Sequence, residues 1–194
     1  MTCRVLVDDG NEPFFNHRPR KEHGFSLLEL LLVVAVGAVL ILAGLGAYRL
    51  VTENNGTNQA ARILSTLKQQ TQQAYQGQAT YGTTNLIDDL AALRALPSDL
   101  GTSGTGDGMI AKGPFGNITI AGAGNEFEIG LTNVPKGACV RLAQQFTPQN
   151  ANDFVSLQVG STVFSQSSTN MTQATFMTIC SDQSSQNSMT WTFQ

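Results

Sequence analysis

Hydrophobic positions change their period twice along this chain. Leu30 to Tyr48 is an apolar run of about nineteen residues without a charge; a helix begun at Phe25 would reach roughly 36 Å by Tyr48, enough to cross a bilayer. Residues 49–76 then turn amphipathic. Ala60, Ile63, Leu64, Leu67, Thr71, Ala74 and Tyr75 share one helical face, with Lys68 and the glutamines opposite, so that face is expected to pack on a sheet. Asn54-Asn55-Gly56 predicts a kink or short break between the two halves. Asn85 is placed to cap a helix over 86–96, with Asp88 and Asp89 in its dipole-favoured first turn and Pro97 stopping it. The stretch 101–108 reads as a flexible glycine-rich loop. It lacks the Lys-Ser/Thr ending of a phosphate-binding loop.

Past residue 117 the period becomes two. Ile118 and Ile120 alternate, then Phe127, Ile129 and Leu131, with Gly122-Ala123-Gly124-Asn125 as the hairpin connection. A short helix over 138–145 carries Cys139. Further strands are expected over 154–159, 162–165 and 175–180, and Met189, Trp191 and Phe193 alternate as a closing strand. The fold class is α+β: a long N-terminal hydrophobic α-helix packed on an antiparallel β-sheet, with late cysteines stapling the C-terminal region.

The unusual chemistry lies where the apolar run begins. Arg18, Arg20 and Lys21 precede Gly24, Phe25 follows it, and Glu29 stands in an otherwise apolar segment. An acid inside a membrane helix costs about 2.5–3.5 kcal/mol on insertion scales, so it usually has a role. A secretory signal has an apolar core of about 7–15 residues with its cut behind it. Here the core is longer and the plausible cut lies in front. The basic cluster keeps the N-terminus cytoplasmic and sends the remainder outward, a type II single-pass topology. Gly24, Phe25 and Glu29, five positions past the glycine, together with these flanks resemble the cleavage site and first helix of type IV pilins.

That resemblance implies a leader over 1–24, removed by a prepilin peptidase that cuts between Gly24 and Phe25 and N-methylates Phe25. It implies a transmembrane and filament-core helix over 25–48 and a globular pilin domain over 49–194. Within that domain come the amphipathic half of the helix (49–76), an αβ-loop region (77–117), and a sheet and disulfide region (118–194). The subunit would wait in the bacterial inner membrane and then join other copies in an extracellular pilus, driven by an assembly ATPase and an inner-membrane platform. In the family's assembly mechanism Glu29 of one subunit neutralises the Phe25 amine of a neighbour. Methylation keeps the positive charge, and each desolvated charge alone is costly, so the pair favours one helix-to-helix stagger. Gly37, Gly44 and Gly46 permit close helix packing, at about 1 kcal/mol of helix stability each relative to alanine. Many relatives carry a proline near Gly44–Gly46, and this chain does not. The long leader and large C-terminal cysteine loop resemble the type IVb class; Phe25 at the mature start is more typical of type IVa.

Composition narrows the alternatives. The 194 residues carry a net charge of −3 with 13% charged residues. Removing 1–24 takes four cations (Arg4, Arg18, Arg20, Lys21) and four acids (Asp8, Asp9, Glu12, Glu22), leaving that net charge unchanged. Seven scattered Lys and Arg then remain of eleven, without the basic stripe a DNA-uptake receptor would need; no nucleic-acid partner is expected. Cys3 belongs to the leader, so Cys139 and Cys180 form an even pair. Export favours a disulfide between them over two reduced thiols in a cytosolic domain. Both histidines, His17 and His23, also lie in the leader, which removes His-dependent triads and most zinc sites. No cofactor, metal or catalytic residue is expected. A minor pilin or type II secretion pseudopilin shares the N-terminal motif, and a membrane-tethered adhesin is the rival of a different class.

Overall fold

The computed structural model describes residues 26–98, 100–148, 150, 152–183 and 187–194; Gly24 and Phe25 lie outside them. Helix α1 runs Leu27–Ala74. By compactness the chain divides between Ala43 and Gly44. The first unit, as described, is the apolar start of α1, exposed apart from half-buried Gly37.

The second unit is built around a seven-stranded antiparallel sheet. Its strands are β1 (Gly101–Ser103), β2 (Ile110–Lys112), β3 (Asn117–Ala123), β4 (Glu126–Leu131), β5 (Phe154–Val159), β6 (Thr162–Ser165) and β7 (Met189–Phe193), in the order β1-β2-β3-β4-β7-β5-β6. The last strand therefore inserts between β4 and β5, with Ile129 opposite Trp191 on one side and Leu157 opposite Trp191 on the other. Period-two burial makes this central strand: Met189, Trp191 and Phe193 are all sealed from solvent. The face Ala60, Ile63, Leu64, Leu67 and Thr71 of α1 is buried as well, and its apolar members join the strand residues in one core cluster. Helices α2 (Leu86–Ala92), α3 (Lys136–Gln145) and α4 (Gln173–Ile179) complete the unit, with a 3-10 turn at Gly106–Gly108.

Several expectations need correction. Asn54-Asn55-Gly56 does not break α1, because each end of the tripeptide has a tertiary partner. The Asn54 amide oxygen accepts from Arg141 of α3. A Cβ at Gly56 would lie 2.8 Å from the Phe115 ring, so the glycine leaves room for that ring. The helix expected over 86–96 has its Asn85 cap, whose side chain accepts from the Ile87 amide, but ends at Ala92. Pro97 does not stop it. Arg94, at φ 55°, occupies the left-handed position, the Arg94 amide bonds the Ala91 carbonyl, and the Ala95 amide bonds the Leu90 carbonyl. This closure is a Schellman motif.

The supposed loop 101–108 contains strand β1 and the 3-10 turn, since Gly101–Ser103 pairs across to Ile110–Lys112. Strand β2 was not expected at all. The segment 175–180, read as a strand, is helix α4 with Cys180 as its C-cap. Thr172 caps it by accepting from the Thr175 amide, and Phe176 is its buried side chain. The helix carrying Cys139 starts two residues earlier than expected, at Lys136. Lys68 and Gln72 do not sit opposite the packed face: both bond the Asp153 carboxylate, at 2.9 and 2.7 Å.

Candidate assembly surface

The dominant surface is the first half of α1. Its large apolar side chains from Leu27 to Val51 are 50–77% exposed. A contiguous exposed apolar face of this extent marks contact with membrane or protein, and this helix is long and apolar enough to span a bilayer. A Cβ at Gly37, Gly44 or Gly46 would meet nothing within 4 Å, so no contact inside the chain demands these glycines. They lower the helix surface where another helix can approach. Glu29 stands in the first turn, exposed, where the helix dipole favours a carboxylate. Its carboxylate meets no cation among the described residues.

The second unit is tied together by a disulfide and by polar contacts. Cys139 of α3 and Cys180 after α4 are disulfide-bonded, with Cα atoms 6.1 Å apart. Bridging 41 positions removes chain entropy from the unfolded state worth about 4 kcal/mol. Lys136 pairs with Asp182 at 3.0 Å across the same junction. Asn187 is buried, though 181–188 reads as an exposed loop. Its amide nitrogen donates to the Val134 carbonyl (2.8 Å) and the Ser181 carbonyl (2.9 Å), and its oxygen accepts from the Ser181 amide at 2.7 Å. Nothing in this Ser/Gln-rich stretch of sequence marks the asparagine out for burial. Gln72 donates to the Gln194 carbonyl at 2.8 Å, and Lys68 stands 5.3 Å over the Phe193 ring, anchoring the final strand to α1.

Two tyrosines titrate high. Partial burial and a 2.6 Å hydrogen bond to Asp89 push the Tyr75 phenol up to about 12. Burial, with Asp153 secondarily, raises Tyr81. Neither lies in a catalytic constellation, and no cluster of three or more His, Cys, Asp or Glu exists among the described residues.

A family model described as PilS N terminal matches residues 54–194. The chain belongs to the PilS family. A model of the prokaryotic N-terminal methylation motif matches residues 19–45, the segment that contains Gly24, Phe25 and Glu29. The crystal structure of a type IVb pilin from Salmonella typhi is similar with a TM-score of 0.55, at 18% identity, over 68% of this chain and 95% of that one. None of the curated proteins matches the sequence. By family and motif this is a type IV pilin, and its fold is that of the type IVb class. Pilins of this fold are structural subunits, and the exposed N-terminal helix fits anchoring in the inner membrane before assembly. The structure thus places Glu29 on the apolar helix and joins Cys139 to Cys180, while Gly24 and Phe25 stay outside the described residues.

Proposed function

We propose that this pilin is the structural subunit of a type IV pilus. A prepilin peptidase cuts between Gly24 and Phe25 and methylates the new amine, and the subunit waits in the inner membrane with its N-terminus cytoplasmic. An assembly ATPase and membrane platform then build the subunits into an extracellular fibre whose core is α1. The observation that carries this reading is the uncovered apolar face Leu27–Val51 with one acid, Glu29, in its first turn. A plain anchor gains nothing from that acid. Within a fibre the Glu29 carboxylate of one copy neutralises the Phe25 amine of the next, and the cost of leaving either charge unpaired selects one stagger.

Glu29→Ala separates processing from assembly. The variant is expected to be cleaved and to accumulate in the membrane, while the yield of sheared surface fibres falls at least tenfold. Wild-type fibre yield from Glu29→Ala as the sole copy would contradict the pairing.

A further inference from the structure

The second unit carries a groove at one end of its stretch of α1 and an exposed apolar side chain, Leu93, at the other. The groove, about 510 Å³, lies between Tyr48 and Gly56 of α1 and the rings of Pro114, Phe115 and Pro135. Arg49 and Glu53 are among its lining residues. Phe115 is laid against α1 because Gly56 has no Cβ to meet it. The corner is Leu93-Arg94, beside Ala74 near the end of α1. Leu93 is 62% exposed, and outside the apolar start of α1 it shares such exposure, among the large apolar side chains described, only with Val163 and Met177.

We propose that Leu93-Arg94 of one copy seats in this groove of a second copy, a contact that rests on the pilus reading above. Charge selects this corner. The groove lining offers one cation, Arg49, and one acid, Glu53, and Leu93 is flanked by one of each: Arg94 next to it and exposed Asp89 one helical turn before, which lines a recess together with Leu93. Val163 sits on edge strand β6 among threonine and serine, and α4 around Met177 has no charged residue. Docking pairs Arg94 with Glu53 and Asp89 with Arg49.

The backbone argues independently for Arg94. It occupies the left-handed position of a Schellman closure, where glycine is the usual residue and a side chain costs roughly 1–2 kcal/mol. Retaining an arginine at such a position points to a use for its side chain. Corner and groove are different patches, so the contact is heterologous. Repeated from copy to copy, it grows an open helical array rather than a closed two-fold dimer. Ala74 and Gly56 are eighteen residues apart on α1, so contacting copies are displaced by roughly 27 Å along the helix axis.

The test uses full-length chains assembled into fibres. Leu93→Cys with Gln59→Cys, a second groove residue, is expected to give a ladder of disulfide-linked multimers on non-reducing gels of oxidised fibres, with either single variant giving none. Fibres of the double variant, seen by electron microscopy, that run as monomers overturn the contact while leaving the pilus reading intact. So does a crosslink from Gln59→Cys to Leu31→Cys in place of Leu93→Cys, which puts a neighbour's apolar helix in the groove. If the wild-type chain forms no fibres, the pilus reading itself fails, and this contact with it. Arg94→Gly guards against misfolding: its membrane level is expected to match or exceed the parent, since glycine relieves the backbone, while fibre yield falls about tenfold. Undiminished fibre yield from Arg94→Gly overturns the proposal.

Discussion

At the scale of single residues, small backbone and polar details hold the pilin domain in register. Gly122 sits in β3 with its amide bonded to the Thr84 carbonyl, and a Cβ there would lie 2.4 Å from the Tyr81 carbonyl oxygen and 2.7 Å from that of Gly82. Backbone atoms cannot rotate aside as a side-chain tip can, so Gly122→Ala is expected to cost about 1–3 kcal/mol, read as a lowered denaturant midpoint with unchanged slope. Asn187→Ala would remove the buried hydrogen bond that its amide donates to the Val134 carbonyl, at about 1–3 kcal/mol. The same melt checks it. Tyr75 gives a pH prediction. Its folded pKa is about 12 against the usual value near 10. Folding therefore favours the neutral phenol, and the contribution is complete below pH 10 and lost as pH rises toward 12. Thermal stability should fall across that window, with phenolate absorbance reporting the titration. Tyr75→Phe should flatten its share of the fall.

At the scale of elements, what was legible followed from periodicity and what was missed followed from tertiary partners. The alternation at Phe127-Ile129-Leu131 and Met189-Trp191-Phe193 is strong because these strands bury one face, and both elements were readable. The segment 175–180 differs from its expectation because Phe176 and Ile179 stand at helical spacing behind a Thr172 cap, the signal in the sequence for helix α4. Asn54-Asn55-Gly56 reads locally as a break, and its contacts with Arg141 and Phe115, each across more than fifty residues of sequence, are not visible in the local sequence. Arg94 was invisible for the converse reason: nothing in Leu-Arg-Ala announces a left-handed closure. The Glu29 and Gly24-Phe25 pattern was legible as chemistry out of place, a carboxylate in an apolar helix. The disulfide belongs at this scale too, since it ties α3 to the end of α4. Cys139→Ser is expected to lower stability by about 2–5 kcal/mol, measured by thermal or chemical melts of the oxidised parent and the variant.

For the whole molecule, the division between Ala43 and Gly44 separates an apolar helix from a domain with its own buried core. A folded domain joined to an uncovered apolar helix suits the proposed passage from membrane to fibre, in which the helix would exchange lipid for neighbouring helices while the domain stays folded. That account depends on the chain being cut where the acid-bearing helix begins. The direct measurement is the intact mass of the subunit in sheared, washed surface fibres. The expected chain begins at Phe25, is one methyl group heavier than its sequence and carries one disulfide. Fibres built from chains that retain Met1, or that begin anywhere other than Phe25, would contradict it.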